Sequence, residues 1–387
     1  MSIRSAAIIG AGVAGLTAAL SLARHGIRSD IFEQADTLTE VGAGLQLSPN
    51  ASRVLGELGL LQALSEVWLE PRDVSLVSGR SLRRIASVPC GSFARARWGA
   101  PYGVLHRATL QRVLVDAVKA NPLCTLHLST LLANPSLQYL SQAGLAAADV
   151  LIGADGVWSR TRTQVPASPA PRFSGNIAWR FILREADAPR FLDRTSVTAF
   201  LGPSAHLVCY PLKETGGFNV VAIAAGSSSA REWGAAGSEA QRTMLIRQFA
   251  GWNAEIGRVL ADAAQATFWP LYELGNGRWH NGRDTILIGD AAHAMMPFAA
   301  QGAAMAIEDA YELAGMLATH PLAEAFDLFE TRRQPRIARL RQRAAFNRFA
   351  YHARGPLRIG RDVVLALRPP QSLAADFDWL YGYRAVG

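Results

Sequence analysis

The chain has 387 residues, of which 50% are hydrophobic and 18% are charged, and this balance excludes an intrinsically disordered protein. Lys and Arg (39) outnumber Asp and Glu (31), which gives a formal charge of +8. Because Lys119 and Lys213 are the only lysines and the arginines are spread thinly along most of the chain, we expect no nucleic-acid partner.

The length and the cysteines bound the organisation of the protein. At about 150 residues per domain, the length predicts two or three folding units. Cys90, Cys124 and Cys209 lie far apart, without a CxxC pair or a histidine cluster beside them. This scattered, odd set predicts neither a disulfide framework nor a zinc site, so we expect no metal centre and a reducing, cytoplasmic location.

The first feature along the chain is an uncharged run of 19 residues, 5–23, between Arg4 and Arg24. Its length and flanking charges are compatible with a signal peptide or a short membrane span. Gly10, Gly12 and Gly15 within the run favour a different interpretation. They form a GxGxxG pattern between an apolar strand predicted at 6–9 and a helix that ends near residue 25.

The GxGxxG pattern is typical of a dinucleotide-binding turn. Gly10 permits the tight turn, Gly12 lets a pyrophosphate approach the backbone, and Gly15 lets the helix pack closely on the strand. The free amides at the start of this helix, at Val13 and Ala14, would hold the diphosphate.

Glu33 completes this first motif. It follows a second predicted strand, 29–32, and lies 18 residues after Gly15. An acid at this spacing is placed to accept hydrogen bonds from a ribose hydroxyl, in FAD or in NAD alike. We therefore predict a βαβ dinucleotide-binding unit at the start of the chain.

The remaining elements alternate between helical and strand signals. The order βαβ, then antiparallel strands, then a return to β-loop-α predicts an α/β domain interrupted by a β-rich domain. The predicted elements are a helix at 50–64, strand-like pieces at 72–100, a helix at 109–120, strands at 172–227, a loop at 226–237, helices at 238–263, a strand at 285–288 and a helical C-terminal third.

Two further motifs place acids directly after predicted strands. Asp155 and Gly156 end the apolar run at 150–154, and Gly289 and Asp290 end the run at 286–288. After Asp290, a loop with a proline and a glycine opens another helix. One nucleotide does not need two strand-end acids and a second helix N-terminus, but a long dinucleotide with a large ring system does.

The three motifs together resemble those of the single-component FAD-dependent aromatic hydroxylases. The resemblance covers nearly the whole chain, and within that superfamily it is greatest to salicylate hydroxylase and 3-hydroxybenzoate 6-hydroxylase. The other segments that carry it are Gly42–Asn50, His106–Gln111, Ser174–Arg180, Leu201–Pro211 and Asp378–Tyr383.

The resemblance implies a p-hydroxybenzoate hydroxylase-like α/β fold. In this fold a Rossmann-like FAD-binding domain is interleaved with a β-sheet substrate domain and followed by a helical C-terminal segment. The boundaries that we predict are 1–71, 101–171 and 273–330 for the FAD-binding domain, 72–100 and 172–272 for the substrate domain, and 331–387 for the C-terminal segment.

The resemblance also implies the residues that hold FAD. Arg107 would contact the middle of the cofactor, Asp290 the ribityl chain, and the amides of residues 301–303 the pyrimidine edge of the flavin, where negative charge gathers on reduction. Asp155 would support FAD and is associated with transient nicotinamide binding, and the lesser alternative is a strand-end acid that caps the next turn. The predicted cofactor-binding residues are Gly10, Gly12, Val13, Ala14, Gly15, Glu33, Gln46, Arg107, Asp155, Asp290, Pro297, Gln301, Gly302 and Ala303.

Two loops receive more specific roles from the resemblance. Gln46 would contact FAD or let its ring system swing, with Gly42 and Gly44 in a mobile lid. The carbonyl of Pro297 would lie close to the flavin, and His293 would shape this loop. The side chain of Gln301 would reach a polar group of the substrate.

His206 and Tyr210 are the candidate catalytic residues. They match the family's His-x-x-x-Tyr pattern on a predicted strand, where positions i and i+4 share one face about 13 Å apart. Phenols react better as phenolates, so His206 would be the base or relay and Tyr210 the substrate-oriented partner. The alternative is a buried pair satisfied by backbone groups within a sheet.

The reaction that the resemblance implies is the hydroxylation of a small phenolic or heteroaromatic carboxylate. NADH or NADPH would reduce FAD transiently, and dioxygen would react through a flavin C4a-hydroperoxide. Two alternatives stay open: a hydroxylase or epoxidase of a larger fused-ring metabolite, and a flavin-binding redox-responsive protein without turnover. Turnover and a panel of substrates would discriminate among the three.

The arginine-rich run at 332–343 is the last feature. Apolar residues among its arginines predict an amphipathic helix with a solvated face or a dimer edge, and a membrane-surface role is the lesser alternative. We expect no stable membrane association, and a homodimer is compatible with the sequence.

Overall fold

The computed structural model describes residues 3–38, 44–227, 235–236, 238–263 and 266–387. The strands are β1 (Ser5–Ile9), β2 (Arg28–Phe32), β3 (Gly44–Leu47), β4 (Asp73–Ser78), β5 (Arg84–Pro89), β6 (Gly103–His106), β7 (Cys124–His127), β8 (Val150–Gly153), β9 (Arg172–Arg184), β10 (Val197–Gly202), β11 (Ala205–Leu212), β12 (Gly217–Ala225), β13 (Ala235–Ala236), β14 (Thr267–Glu273) and β15 (Thr285–Leu287).

The helices alternate with these strands and then dominate the C-terminal part. They are α1 (Val13–Arg24), α2 (Pro49–Glu57), α3 (Leu61–Val67), α4 (Ser92–Trp98), α5 (Arg107–Ala120), α6 (Leu137–Gln142), α7 (Glu239–Gln248), α8 (Ala254–Ala261), α9 (Asp290–His293), α10 (Gly302–Thr319), α11 (Leu322–Tyr351), α12 (Gly355–Leu367), α13 (Pro370–Ala375) and α14 (Asp378–Tyr381).

A five-stranded parallel sheet forms the first layer, in the order β15-β8-β1-β2-β7. Its central strand, β1, is buried on both faces because Ala6, Ala7, Ile8 and Ile9 are all apolar. The predicted uncharged run is thus a strand, a turn and α1. Parallel strands bring their carboxyl ends to one edge, and the three motifs follow β1, β8 and β15 there.

An eight-stranded sheet lies beside it, in the order β13-β14-β9-β12-β11-β10-β4-β5. Neighbouring strands are antiparallel except β4 and β10, which run parallel. Side chains of β11 alternate between its two faces. Leu207 and Cys209 enter the hydrophobic cluster that includes α7 and α8, whereas His206 contacts Phe298 and Tyr210 joins the large cluster of the parallel-sheet domain.

The fold class predicted from the sequence is confirmed, with differences in individual elements. The helix predicted at 50–64 is two helices, α2 and α3, because Gly59 takes a positive φ of 77° between them. Part of the stretch predicted as strand-like at 72–100 is the helix α4. The domain boundaries stay a prediction, and most of the loop predicted at 226–237 lies outside the described residues.

The C-terminal arginines correct one prediction. Arg333 and Arg336 lie on α11 but are 0% and 9% exposed, so this side of the helix is not a solvated face. Arg333 binds Glu308 and Asp309 of α10, and Arg336 binds Glu308. A sequence pattern cannot distinguish an exposed arginine from one that is paired in the core, because the acids that pair with it lie on another helix.

Across the described ranges, no helix carries an apolar stretch that could traverse a bilayer.

Candidate active site

The turn after β1 has the shape of a phosphate cradle. Gly10 has a φ of 102°, and a Cβ there would lie 2.6 Å from the carbonyl oxygen of Ala154. A Cβ on Gly15 would collide with the carbonyl oxygen of Gly10, whereas one on Gly12 would meet nothing within 4 Å. The fold therefore requires glycine at the first and third positions, while the second faces open space that a pyrophosphate would fill.

The amides around this turn fit the same ligand. No side chain caps the N-terminus of α1, so no side-chain acceptor competes for its first amides. Glu33, at the end of β2, accepts hydrogen bonds from the amides of Ala11 (2.9 Å) and Ala35 (3.0 Å). Its carboxylate is held beside the cradle, where the ribose of an ADP moiety would lie.

Gln111 is a cradle residue that the sequence prediction did not include. Its buried side chain donates from Nε2 to the carbonyl oxygen of Ala11 at 3.2 Å, which ties α5 to the glycine turn. Arg107 is exposed at the start of the same helix. The one sequence signal for Gln111 was its position in the segment 106–111, which carries part of the family resemblance.

Asp290 lies at the edge of the sheet where β15 ends. Its side chain is exposed, which leaves the carboxylate accessible to a ribityl chain. Its neighbour Gly289 has a φ of 58° and donates its amide to Oδ2 of Asp309 at 2.9 Å. The same oxygen lies 2.5 Å from Nε2 of His293, so Asp309 holds the loop on both sides of Asp290.

Asp309 belongs to a buried ionic network that the sequence did not predict. Burial by itself would raise the pKa of Asp309, but His293 and Arg333 outweigh it and hold the pKa at about 2. A carboxyl whose folded pKa is depressed contributes stability above its unfolded pKa, near 4, and loses it as the pH falls toward 2. The loop that carries Asp290 is therefore held by an ionised carboxylate at neutral pH.

The carboxylate of Asp155 caps the turn that follows β8. It accepts hydrogen bonds from Ser159 Oγ at 2.5 Å, from the amides of Arg160 and Thr161 and from Thr161 Oγ1. The capping role left open by the sequence accounts for these bonds, and a contact between Asp155 and FAD stays a prediction. Arg162 then joins this turn to the loop after β15 through the carbonyl oxygen of Ala291, at 2.9 Å.

The start of α10 presents backbone rather than side chains. Gly302 and Ala303 begin the helix without a side-chain cap, and Ala300 turns the chain into it with a φ of 51°. The side chain of Gln301 is buried and bonded to Ser48 and Asn50. This placement disagrees with our expectation that the Gln301 side chain reaches the substrate, whereas the backbone amides fit the predicted contact with the flavin edge.

Gln46 and Gly44 lie on β3, between the two sheets. Gln46 accepts a hydrogen bond from the hydroxyl of Tyr102 at 2.7 Å. Gly44 donates its amide to Oδ1 of Asn219 at 2.7 Å, and a Cβ on it would lie 2.7 Å from the hydroxyl of Tyr210. Glycine is thus needed here for close approach to the eight-stranded sheet. The other glycine of the predicted lid, Gly42, lies outside the described residues.

His206 and Tyr210 lie on the same face of β11, opposite Ile223 and Asn219 of β12. The His206 ring contacts Phe298, which follows Pro297 in the loop after α9, at 5.1 Å between ring centroids. Tyr210 packs instead against Gly44 of β3. The two predicted catalytic residues thus adjoin different predicted cofactor-binding segments.

Burial determines the protonation states of His206 and Tyr210. Burial, together with the neighbouring His352, lowers the pKa of His206 well below its ordinary value, so the imidazole is neutral at pH 7. Burial raises the pKa of Tyr210, so the phenol keeps its proton, although Arg180 acts in the opposite direction. A neutral imidazole accepts a proton and a protonated phenol donates a hydrogen bond.

Comparison with known proteins agrees with this arrangement. The family described as "FAD binding domain" matches residues 4–344. The chain is 36% identical over 390 residues to 3-amino-4-hydroxybenzoate 2-monooxygenase of Streptomyces cremeus, which covers 98% of this chain and 95% of that protein. The chain belongs to the family of FAD-dependent aromatic hydroxylases.

Further relatives carry the likeness across the whole length. Identity is 34% over 391 residues to 3-hydroxybenzoate 6-hydroxylase 1 of Aquipseudomonas alcaligenes, with 98% of each protein covered. The solved salicylate hydroxylase substrate complex superposes with a TM-score of 0.80 at 21% identity, over 99% of this chain and 96% of that chain. The family and the FAD cofactor predicted from the motifs are thereby confirmed.

Proposed function

We propose that this protein is an FAD-dependent monooxygenase that hydroxylates a small phenolic or heteroaromatic carboxylate with NADH or NADPH and dioxygen. One observation carries the proposal: His206 and Tyr210 share a face of the eight-stranded sheet, and each adjoins a predicted cofactor-binding segment. We also propose that the protein is cytoplasmic, and the homodimer stays a prediction.

Bound FAD would supply the oxygen-transfer chemistry, and the residues around it would position and ionise the substrate. The cradle at residues 10–15 with Glu33 would hold the ADP moiety, and Asp290 the ribityl chain. A substrate ring beside the face of β11 that carries His206 and Tyr210 would place its phenol near His206. Since that imidazole is neutral, it would take the phenol proton as oxygen transfer begins.

Arg180 is our candidate for the group that binds the substrate carboxylate. Arg180 on β9 pairs with Val221 of β12, which pairs in turn with Val208 of β11. Because Val208 lies between His206 and Tyr210 on β11, Arg180 is on the same face of the sheet as both of them. Its guanidinium stacks 5.3 Å from the ring centroid of Trp269 and lowers the pKa of Tyr210. A partly buried arginine on an apolar face is suited to pair with a carboxylate, in bidentate geometry.

The function is tested with salicylate, 3-hydroxybenzoate, 3-amino-4-hydroxybenzoate, 6-hydroxynicotinate and a quinolone, each scored for hydroxylated product per NAD(P)H oxidised. We expect tight coupling with one of the small carboxylates. Coupled product from the quinolone alone would indicate a larger fused-ring substrate. If no compound stimulates NAD(P)H oxidation by the yellow protein, the proposed function is wrong.

Replacing His206 with Asn is expected to uncouple the reaction. The variant should bind FAD normally but lose about 100-fold in hydroxylation rate, with peroxide formed instead, because no base removes the phenol proton. Product and hydrogen peroxide are measured against NAD(P)H consumed. Coupling equal to that of the wild type would rule out the base role.

Replacing Arg180 with Met is expected to raise KM for the hydroxybenzoate about tenfold or more, because one charge-assisted pair to the carboxylate is lost. Steady-state kinetics with 3-hydroxybenzoate and with phenol, which lacks the carboxylate, separate this effect from damage to the site. The matched control is Arg184→Met, since Arg184 ends the same strand and is exposed, paired with Asp187. Equal effects on both substrates would contradict the assignment.

A further inference from the structure

A second histidine lies against His206. His352 follows α11 immediately, and its Nε2 is 2.9 Å from Nδ1 of His206. Both rings also contact Phe298, at centroid distances of 5.1 and 5.5 Å. The amide of Ser204, in the turn before β11, donates to the carbonyl oxygen of His352 at 3.3 Å, so the hairpin and the end of α11 are tied together.

The two histidines differ in their access to solvent. His206 is only 2% exposed, whereas His352 lines an open groove of about 900 Å³. Asn176, Ser204 and Arg348 also line this groove, and His206 does not. The pair therefore bridges the buried face of the sheet and a groove that solvent can enter.

The surroundings of the pair contain cations but no acid among the contacts described for it. Arg348 and Arg354 act on His352 electrostatically, and the Tyr351 ring lies 5.5 Å from His206. The sheet neighbours of His206 are Leu201 and Ile223, both apolar. Arg172, Arg341 and Glu273 also line the groove, and Glu273 is paired there with Arg172 at 2.9 Å.

Burial and these arginines lower the pKa of His352 to about 4, and burial lowers the pKa of His206. At neutral pH both rings are neutral, so one ring donates the shared proton and the other accepts it. His293 differs, because the partner of its Nε2 is the carboxylate of Asp309 and not a second imidazole. A neutral pair of imidazoles can pass a proton on without retaining it.

We propose that His206 and His352 form a proton relay that carries the substrate's phenol proton to solvent in the groove, with His352 as a positioning and relay residue. The phenol O–H bond breaks as an N–H bond forms at Nε2 of His206. The proton on Nδ1 of His206 moves to Nε2 of His352, and the proton on Nδ1 of His352 leaves to groove water. One proton crosses the pair and each ring exchanges one tautomer for the other. Both rings end neutral, and the negative charge stays on the substrate as phenolate.

This inference rests on the proposed function, and its kinetic test uses 3-hydroxybenzoate and a ring-fluorinated 3-hydroxybenzoate, whose phenol is more acidic. His352→Gln is expected to lower kcat about tenfold at pH 7 with KM changed by less than about twofold. The loss should shrink for the fluorinated substrate and as the pH rises, because a phenolate needs no relay. His320→Gln, at a partly exposed histidine beyond α10, is the control and should change neither parameter.

Chemical rescue separates a relay from a structural role. Added imidazole can enter the groove, so it is expected to restore His352→Ala but not His206→Ala, whose site is buried. Equal losses for both phenols at every pH would overturn the relay. So would failure of imidazole to rescue a His352→Ala protein that retains wild-type FAD content and thermal midpoint.

A readout without turnover distinguishes failure of the relay from failure of the proposed function. In the FAD-loaded protein with ¹⁵N-labelled histidine and no substrate, we expect the His206 Nδ1 signal to change on His352→Gln and not on His320→Gln. An unchanged signal overturns the relay whatever the enzyme hydroxylates. If no phenol of the panel is turned over, the proposed function is wrong, and the hydrogen-bonded pair is then judged by this signal alone.

Discussion

Replacing Gly12 with Val is expected to give a folded protein that no longer binds FAD. A Cβ on Gly12 meets no protein atom within 4 Å, and the residue has an extended backbone conformation that valine adopts readily. The isopropyl group would instead fill the space next to the α1 amides, where the pyrophosphate approaches. We expect FAD affinity to fall by about 100-fold or more, equivalent to about 2.7 kcal/mol, in a titration of apoprotein followed by flavin fluorescence.

Gly15→Val is the matched control for this prediction. A Cβ at Gly15 collides with the carbonyl oxygen of Gly10, so this variant is expected to misfold rather than to lose only its cofactor. Circular dichroism and thermal unfolding of the two apoproteins make the comparison. A Gly12→Val protein that purifies yellow with wild-type affinity would contradict the placement of the pyrophosphate at this turn.

Replacing Arg333 with Met is expected to destabilise the protein by about 3–5 kcal/mol. Arg333 is fully buried and donates to Asp309 at 2.7 Å and to Glu308 at 2.6 Å. Methionine would leave these acids without one of their cationic partners in the core, and breaking a buried pair costs more than the pair itself contributes. Denaturant unfolding with FAD bound gives the free energy of unfolding.

The neighbouring residue supplies the control. Arg332 is 38% exposed and lies 3.4 Å from the buried Glu312. Glu312 would keep Tyr383 and Arg333 as partners, so Arg332→Met is expected to cost about 1 kcal/mol or less. Because Asp309 also holds Gly289 and His293, Arg333→Met should in addition weaken FAD binding at the loop after β15. Similar free energies of unfolding for the two variants would show that the buried network is not a major source of stability.

The motifs local in sequence were predictable. Gly10, Gly12 and Gly15 serve a turn closed within six residues, and Glu33 ends the next strand, so strand-loop-helix patterning located them. His206 and Tyr210 share a sheet face because side chains alternate along a strand. By contrast, the side-chain directions of Asp155 and Gln301 depend on which hydrogen-bond partners lie nearby, and the patterns did not specify these.

The charged residues show the same contrast between local sequence pattern and tertiary packing. From residue types and spacing alone, the chain could be read as an α/β dinucleotide-binding enzyme, since strand and helix periodicity and glycine conformations are local properties. Whether an arginine is solvated or buried, and which histidine meets His206, depends on elements that fold together from distant parts of the chain. The contact between His206 and His352 spans 146 residues, and the bonds of Arg333 join two helices, so only three-dimensional packing establishes them.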